Sequence, residues 1–228
     1  MTPENRKTNS ETLLHKRGIR INLQLPLTES DEEVKLRSSD DVLLRIVALW
    51  CVSGAAEAIL ASDSTGLERF RNYIVQRDIA GWLSAREHAF LFGAAPEGDE
   101  GMRQCAVFAQ CRESMFFLGW CAGLVKKIDL PGGPSSLKAL LALLPQQMDA
   151  QDPLARLQQA VRLRPKREIL GWVDLLYRLH WAVRHANLIG KTVPGSLDAA
   201  VVQEWHHAVN WIIGYDDEDD WDLVGTDT

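Results

Sequence analysis

The chain reads as an all-α protein. One helical domain of about eight helices covers residues 1–228, with a short extended segment at 19–25 and an acidic tail at 215–228. Three observations predict this. Helix start and stop signals recur along the whole length. Clean alternation of apolar and polar residues occurs once, in IRINLQL (19–25), and a lone strand cannot make a sheet. Three helices also place an acid seven residues before a tryptophan: Glu113 and Trp120, Asp174 and Trp181, Glu204 and Trp211. Seven residues is close to two turns, so each acid shares a face with its Trp. A buried acid must be paired or hydrogen-bonded. The helices are therefore expected to converge on a polar cluster inside a tryptophan-lined core.

The elements follow in order. Thr2-Pro3 is an N-cap followed by Pro at the first helical position, and Gly18 closes that helix. Ile19, Ile21, Leu23 and Leu25 then fall on one side of an extended segment that Pro26 ends. It either lies over helices or pairs with a second copy of the chain. Ser39 caps a helix at about 40–61, carrying Val42, Leu43, Ile46, Leu49, Trp50 and Ile59. A loop at Asp63–Gly66 leads to a helix through Phe70, Tyr73 and Ile74. Ser84 with Glu87 is a capping box, opening a short helix through Phe90 and Leu91. APEGDEG (95–101) is a loop, and 100–126 reads as one long helix. DLPGGPSS (129–136) is the strongest break. Leu137–Leu144 is a short helix ended by Pro145, and Asp152-Pro153 starts another. Pro165 opens a long helix to about Leu188, with Gly190 behind it, and 197–213 is the last.

Composition bounds the function. An apolar share of 46% and a charged share of 25% suit a soluble globular protein with one sizeable core. The opening MTPENRKTNS lacks the apolar run of a secretory signal. Ser114 to Val125, an uncharged apolar stretch, is too short to span a bilayer. A cytoplasmic protein without membrane contact is expected. Cys51, Cys105, Cys111 and Cys121 form no CxxC pair and have no histidines at zinc-finger spacing, so they read as reduced core thiols. Eight Trp against three Tyr is unusual, since Trp fills large core volumes but needs a partner for its N–H.

Charge is unevenly placed. Residues 1–191 hold 25 basic and 22 acidic groups, while 192–228 hold nine acids and no base. DDEDDWD (216–222) lacks the glycine and terminal Glu of a calcium loop. It reads as a solvated, partly mobile tail, or as a phosphate mimic that occupies the positive groove of a basic partner. On the second reading Asp216, Asp217, Glu218, Asp219, Asp220 and Asp222 carry the contact. RLRPKR (162–167) offers Arg162, Arg164, Lys166 and Arg167 without aromatics that read bases. Direct nucleic-acid binding is not expected, and pairing with the acidic tail is a simple use for these charges.

The candidate core cluster comprises Glu113, Asp174, Arg178, His180, Trp181, Glu204, His207 and Trp211. Asp174 and Arg178 are spaced i, i+4 for an ion pair, with Tyr177, His180 and Arg184 on overlapping faces. It reads either as a satisfied network that fixes helix packing or as a ligand pocket with Tyr177 and His180 as acid and base. Glu204 and His207 form an ExxH spacing, which di-iron bundles use in pairs. This chain has one such motif, so no metal and no cofactor are expected.

At EILGWVDLLYRLHWAVRHANL (168–188), VVQEWHHAVNWI (201–212) and WDLVGTDT (221–228), the chain resembles the bacterial domain of unknown function 4272 family. Weaker echoes are the polar opening helix, GIRINLQLP, the acid-then-Arg start at Asp41–Arg45, and CRESMFFLGWCAGL. The resemblance implies an all-helical fold and carries no established reaction. It places the family's recurring polar positions at Glu113, Asp174, Arg178, Trp181, Glu204, Asn210, Trp211, Trp221, Asp222 and Asp227. Two places depart from the pattern: Trp205 stands where an Arg follows the Glu, and Gly171-Trp172 replaces a more acidic pair.

These readings favour a non-enzymatic protein-binding module. Its expected form is an immunity protein neutralising an antibacterial toxin with a basic surface, such as a secreted nuclease. One alternative is a metal-dependent or small-molecule enzyme built on Glu113, Asp174, His180, Glu204 and His207. The other is a homodimeric assembly module paired through 19–25.

Overall fold

The computed structural model of the chain describes residues 1–145 and 154–228, and among these it holds ten α-helices and no β-strand. The first, α1 (Pro3–Lys16), begins as the sequence predicts: Thr2 Oγ1 accepts the Asn5 N–H, and Pro3 fills the first position. Helix α2 (Ser39–Leu60) is capped by Ser38, one residue earlier than expected. Ser38 Oγ accepts the Asp41 N–H at 3.1 Å, and the Asp41 carboxylate accepts the Ser38 N–H at 3.0 Å. Nearly every residue from Val42 to Ala56 is buried, so α2 is the helix the others surround. It is long and apolar enough to cross a membrane by composition, and most of it is covered by the protein itself.

Helices α3 (Gly66–Arg77), α4 (Ala85–Phe92), α5 (Gly98–Gln110) and α6 (Arg112–Cys121) all pack on α2. The predicted capping box opens α4, with the Glu87 carboxylate accepting the Ser84 N–H at 2.8 Å. Two short helices follow, α7 (Lys138–Leu141) and α8 (Ala155–Ala160). Helix α10 (Ala199–Ile213) packs against both α6 and α9 (Lys166–Leu188), and α1 packs on α9. The chain thus runs through contacts from α1 to α9, α10, α6 and α2. All the polar groups discussed below lie along that succession or under the segment after α10.

Four expectations are corrected. The single helix expected at 100–126 is two helices broken at Cys111, which lets α5 lie on α2 while α6 turns to meet α10. It also ends early. Gly123 takes φ +75°, and the Leu124 N–H closes back on the Gly119 carbonyl at 2.9 Å. A Cβ at Gly123 would sit 2.7 Å from the Arg162 carbonyl oxygen, so the position needs glycine twice over. The expected loop at 95–101 already holds the first turn of α5, and α7 is shorter than Leu137–Leu144. The start expected at Asp152-Pro153 lies outside the described residues.

Segment 19–25 is not a strand. Ile19 and Leu25 are buried, but Leu23 is 65% exposed and the chain turns between them. Asn22 makes the turn: its Oδ1 accepts the Gln24 N–H at 3.0 Å. Lys7 on α1 then donates to the carbonyls of Leu23 (2.9 Å) and Leu25 (2.7 Å), which a strand partner would otherwise have taken. A homodimer paired through this segment would have to displace those bonds.

Candidate functional site

The expected polar cluster divides into separate groups. On α9 the Asp174–Arg178 pair is bidentate, Nε to Oδ2 at 3.0 Å and Nη2 to Oδ1 at 2.7 Å. Both are essentially sealed from solvent at 0% and 2% exposure. Arg178 also donates to the Pro26 carbonyl at 3.3 Å and faces Glu11 of α1 at 3.5 Å. This group joins α1, the 26–29 segment and α9, so its geometry is that of a structural tie.

Between α6 and α10 stands a second group. Ser114 Oγ lies 2.6 Å from Glu204 Oε2 and 2.9 Å from the Glu204 carbonyl. Buried Glu113 accepts the Ser135 N–H at 2.9 Å, pinning the 129–136 break, and its Oε2 has no partner among the described residues. Burial, with the charge of Glu113 adding, raises Glu204 to about 7 against the opposing Ser114 hydrogen bond. Two of the sequence-predicted acids are therefore neighbours, and one stays protonated into the neutral range.

The third group was only half expected. His180 pairs with His206, Nδ1 to Nδ1 at 2.8 Å, so one ring carries its proton there and the other offers a lone pair. Burial lowers His180 to about 4 and His206 to about 3, which keeps both neutral. His206 stood beside the ExxH motif, but nothing local marked it as the buried partner. His207 turns elsewhere: its Nε2 lies 3.0 Å from the Trp221 carbonyl, and its ring packs on Trp221 at 4.3 Å. Among the described residues, no three His, Cys, Asp or Glu side chains gather as a metal ligand set.

The three tryptophans of the seven-residue pairs also part company. Trp120 joins an aromatic cluster with Phe117, Trp172 and Trp205. Trp181 stacks on His185 at 4.7 Å, and Trp211 meets Trp221 at 5.6 Å. Trp172 and Trp205 touch each other edge-to-face at 5.8 Å.

The acidic tail is an ordered strap. Trp221 and Val224 are buried in the core, and Asn210 Nδ2 donates to the Gly225 carbonyl at 2.9 Å. Asp222 receives the Ser84 hydroxyl at 2.7 Å and the Arg86 N–H at 2.9 Å, extending the α4 cap. Arg37 is the other anchor. It donates to the Trp211 carbonyl at 2.7 Å and the Glu218 carbonyl at 2.8 Å, meets Asp219 at 3.1 Å, and lies over the Trp211 ring. Asp216, Asp217, Asp219 and Asp220 remain exposed. Asp216 and Asp217 hold φ of +56° and +55°, a region Asp tolerates better than most residues. Behind the strap, Arg45 and Glu87 form a buried ion pair, with Arg45 also stacked on Trp221 at 4.7 Å. Sequence reading missed Arg37, Arg45 and Glu87 as a framework for the tail, because each partner lies far away in the chain.

The basic run does not meet the tail. Arg164 donates to the carbonyls of Trp120 (2.8 Å), Val125 (2.9 Å) and Lys126 (2.8 Å), tying the C-terminal end of α6 to the segment behind it. Lys166 donates to the carbonyls of Asp31 and Val34. A cleft of about 330 Å³ opens beside the strap, lined by Glu204, His207, Cys111, Arg86, Asp222 and Trp221 among others.

Fold and sites together define an all-helical domain closed by an acidic C-terminal strap over buried polar pairs. The family model described as "Domain of unknown function (DUF4272)" matches residues 6–224, and the chain belongs to that family. No curated protein and no solved structure matches it.

Proposed function

We propose that the protein acts by binding another protein through the exposed acids of the strap. In its most specific form the reading is of an immunity protein that neutralises an antibacterial toxin with a basic surface, such as a nuclease. One observation carries the proposal. The strap is fixed by Arg37, Asp222, Trp221 and Asn210, yet it leaves the carboxylates of Asp216, Asp217, Asp219 and Asp220 in solvent. The Asp219 side chain is 94% exposed even while it touches Arg37. Carboxylates held in place before binding avoid much of the ordering cost that a mobile tail carries. A groove that holds phosphates is positive, and a fixed acidic ridge complements it and speeds encounter.

Truncation after Tyr215 is a poor test, since it also removes buried Trp221 and the Asp222 carboxylate that supports the start of α4. The four ridge aspartates should instead be changed together to Asn, which also tolerates positive φ. Affinity capture from the native organism with each form is the measurement. A stoichiometric partner held by the native chain, salt-sensitive and lost with the Asn variant, supports the reading. A partner held equally by both removes the ridge from the mechanism.

A second reading rests on Glu204, whose carboxyl is raised to about 7 beside the 330 Å³ cleft that it lines with His207. That combination suits a general acid or base acting on a small molecule. Screening the cleft with small-molecule libraries by thermal shift tests it. A hit whose shift vanishes in Glu204→Gln favours this reading, and hits indifferent to the change count against it.

A further inference from the structure

A separate cavity of about 110 Å³ opens between the 26–29 segment, α9, α10 and the strap. Its walls carry the rings of Tyr177, Tyr215 and His206 and the side chains of Thr28, Glu29, Asn210 and Asp227. Asn210 is 3% exposed; its nitrogen donates to the Gly225 carbonyl, while its side-chain oxygen accepts nothing among the described residues. Thr28 Oγ1 is shut from solvent and also has no partner there. Glu29 and Asp227 both line the cavity, and neither carboxylate forms a salt bridge among the described residues. Buried polar atoms are nearly always paired, so the Thr28 oxygen, with the half-buried Glu29 and exposed Asp227 carboxylates at the same cavity, marks a place that receives donors.

The charge balance points the same way. Burial keeps His180 and His206 neutral, so no wall group there is positive. The nearby cations Arg178 and Arg6 are matched, by Asp174 and Glu11 and by Asp31 at 2.8 Å; Arg184 is exposed and donates to the Thr228 hydroxyl. Burial, then the charges of Asp216, Asp227 and Glu29, push the Tyr215 hydroxyl above its ordinary value, so it stays protonated. The cavity therefore keeps the uncompensated charge of two carboxylates against aromatic faces, which also attract cations. An anion would be repelled. An apolar ligand would leave the acceptors unpaired.

We propose that this cavity binds an organic cation head group, a guanidinium or a primary ammonium. Its source is either a free small molecule or an arginine or lysine side chain presented by a protein. The volume suits it: about 110 Å³ is several times the roughly 10–15 Å³ that one water needs, so a small head group fits. The site does not depend on the ridge reading, because the ridge acids Asp219 and Asp220 line a different cleft.

The test is titration of the full chain with methylguanidinium, butylammonium and doubly blocked arginine amide, read by calorimetry and by the NMR signals of the tyrosine rings. Saturable binding is expected, weakened about tenfold for each carboxylate removed in Asp227→Asn and Glu29→Gln. The Asp219→Asn/Asp220→Asn variant should bind as the native chain does, so loss of partner capture through the ridge and loss of this site are told apart. Should Glu29→Gln lose its helical circular dichroism, Asp227→Asn alone carries the test, since Asp227 is exposed. Blocked arginine binding as tightly as methylguanidinium assigns the site to a protein-borne side chain. Methylguanidinium binding alone assigns it to a free small cation. No saturation by any of the three, or equal binding by native chain and Asp227→Asn, overturns the proposal.

Discussion

The basic run at 162–167 and the acidic run at 216–222 look like mirror images in the sequence, and the fold treats them in opposite ways. Arg164 and Lys166 turn inward, each reaching main-chain carbonyls at the end of a helix or in a loop. The acidic run is held by its backbone and by Trp221, Asp222 and Arg37, and most of its carboxylates point outward. The asymmetry is chemical. Long cationic side chains can carry several donors to orphan carbonyls while burying their stems, whereas a short carboxylate needs donors, which are scarce outside helix N-termini. Asp222, the one acid of the run that finds such a terminus at α4, is the one used structurally in full.

If position rather than sign governs these charges, an acid in the interior must matter more than four on the ridge. Asp174→Ala leaves Arg178 buried with its bidentate partner gone and should cost on the order of 3 kcal/mol in urea unfolding. A change under about 0.5 kcal/mol would make the pair energetically a surface feature. Arg164→Ala should follow at about 2 kcal/mol, because one carbonyl at the end of α6 and two in the segment behind it lose their donor together. If the loss is as small as for Arg167→Ala, the inward use of the basic run is energetically empty.

Glu204 sharpens the contrast through pH. Its folded value of about 7 lies above its ordinary 4.5, so the folded state holds an extra proton between those values. Stability from this group is full below pH 4.5 and is lost as pH rises toward 7. The histidine pair acts in the opposite direction, costing stability as pH falls below 6.5. From pH 5 to 8 the native chain should lose on the order of 2 kcal/mol relative to Glu204→Gln. A difference that stays flat over that range would show that Glu204 ionises normally. Asp222→Ala should cost about 1 kcal/mol, as loss of a helix cap does. The four-fold ridge change to Asn should shift stability by less than about 0.5 kcal/mol, as surface substitutions do. A large loss there would mean that the ridge is part of the fold.

Much of the architecture was legible because its signals are local. Thr2-Pro3, Ser84 with Glu87, Pro165 and Gly190 each act within one turn, and each marks a real boundary. Gly123 carried an equally local stop signal, with φ of +75°, and was passed over, whereas the last helix ends at Ile213 as expected, before Gly214 at φ +64°. The pair Asp174–Arg178 was readable for the same reason, since i, i+4 is a neighbour distance on any helix. Segment 19–25 misled because alternation records which side is apolar, not whether a partner strand exists.

What the sequence determined by itself, then, is the helical class, most helix ends, one internal ion pair and the uneven distribution of charge. Tertiary structure alone decided that the seven-residue acid–Trp pairs would serve three different contacts. It also decided that Arg37 would anchor a strap some 180 residues away, and that Glu29, Asn210 and Asp227 would meet around one cavity. Helix signals come from hydrogen bonds four residues apart, while these meetings depend on which helix faces pack together. A face records only that it is apolar or polar, not what it will touch.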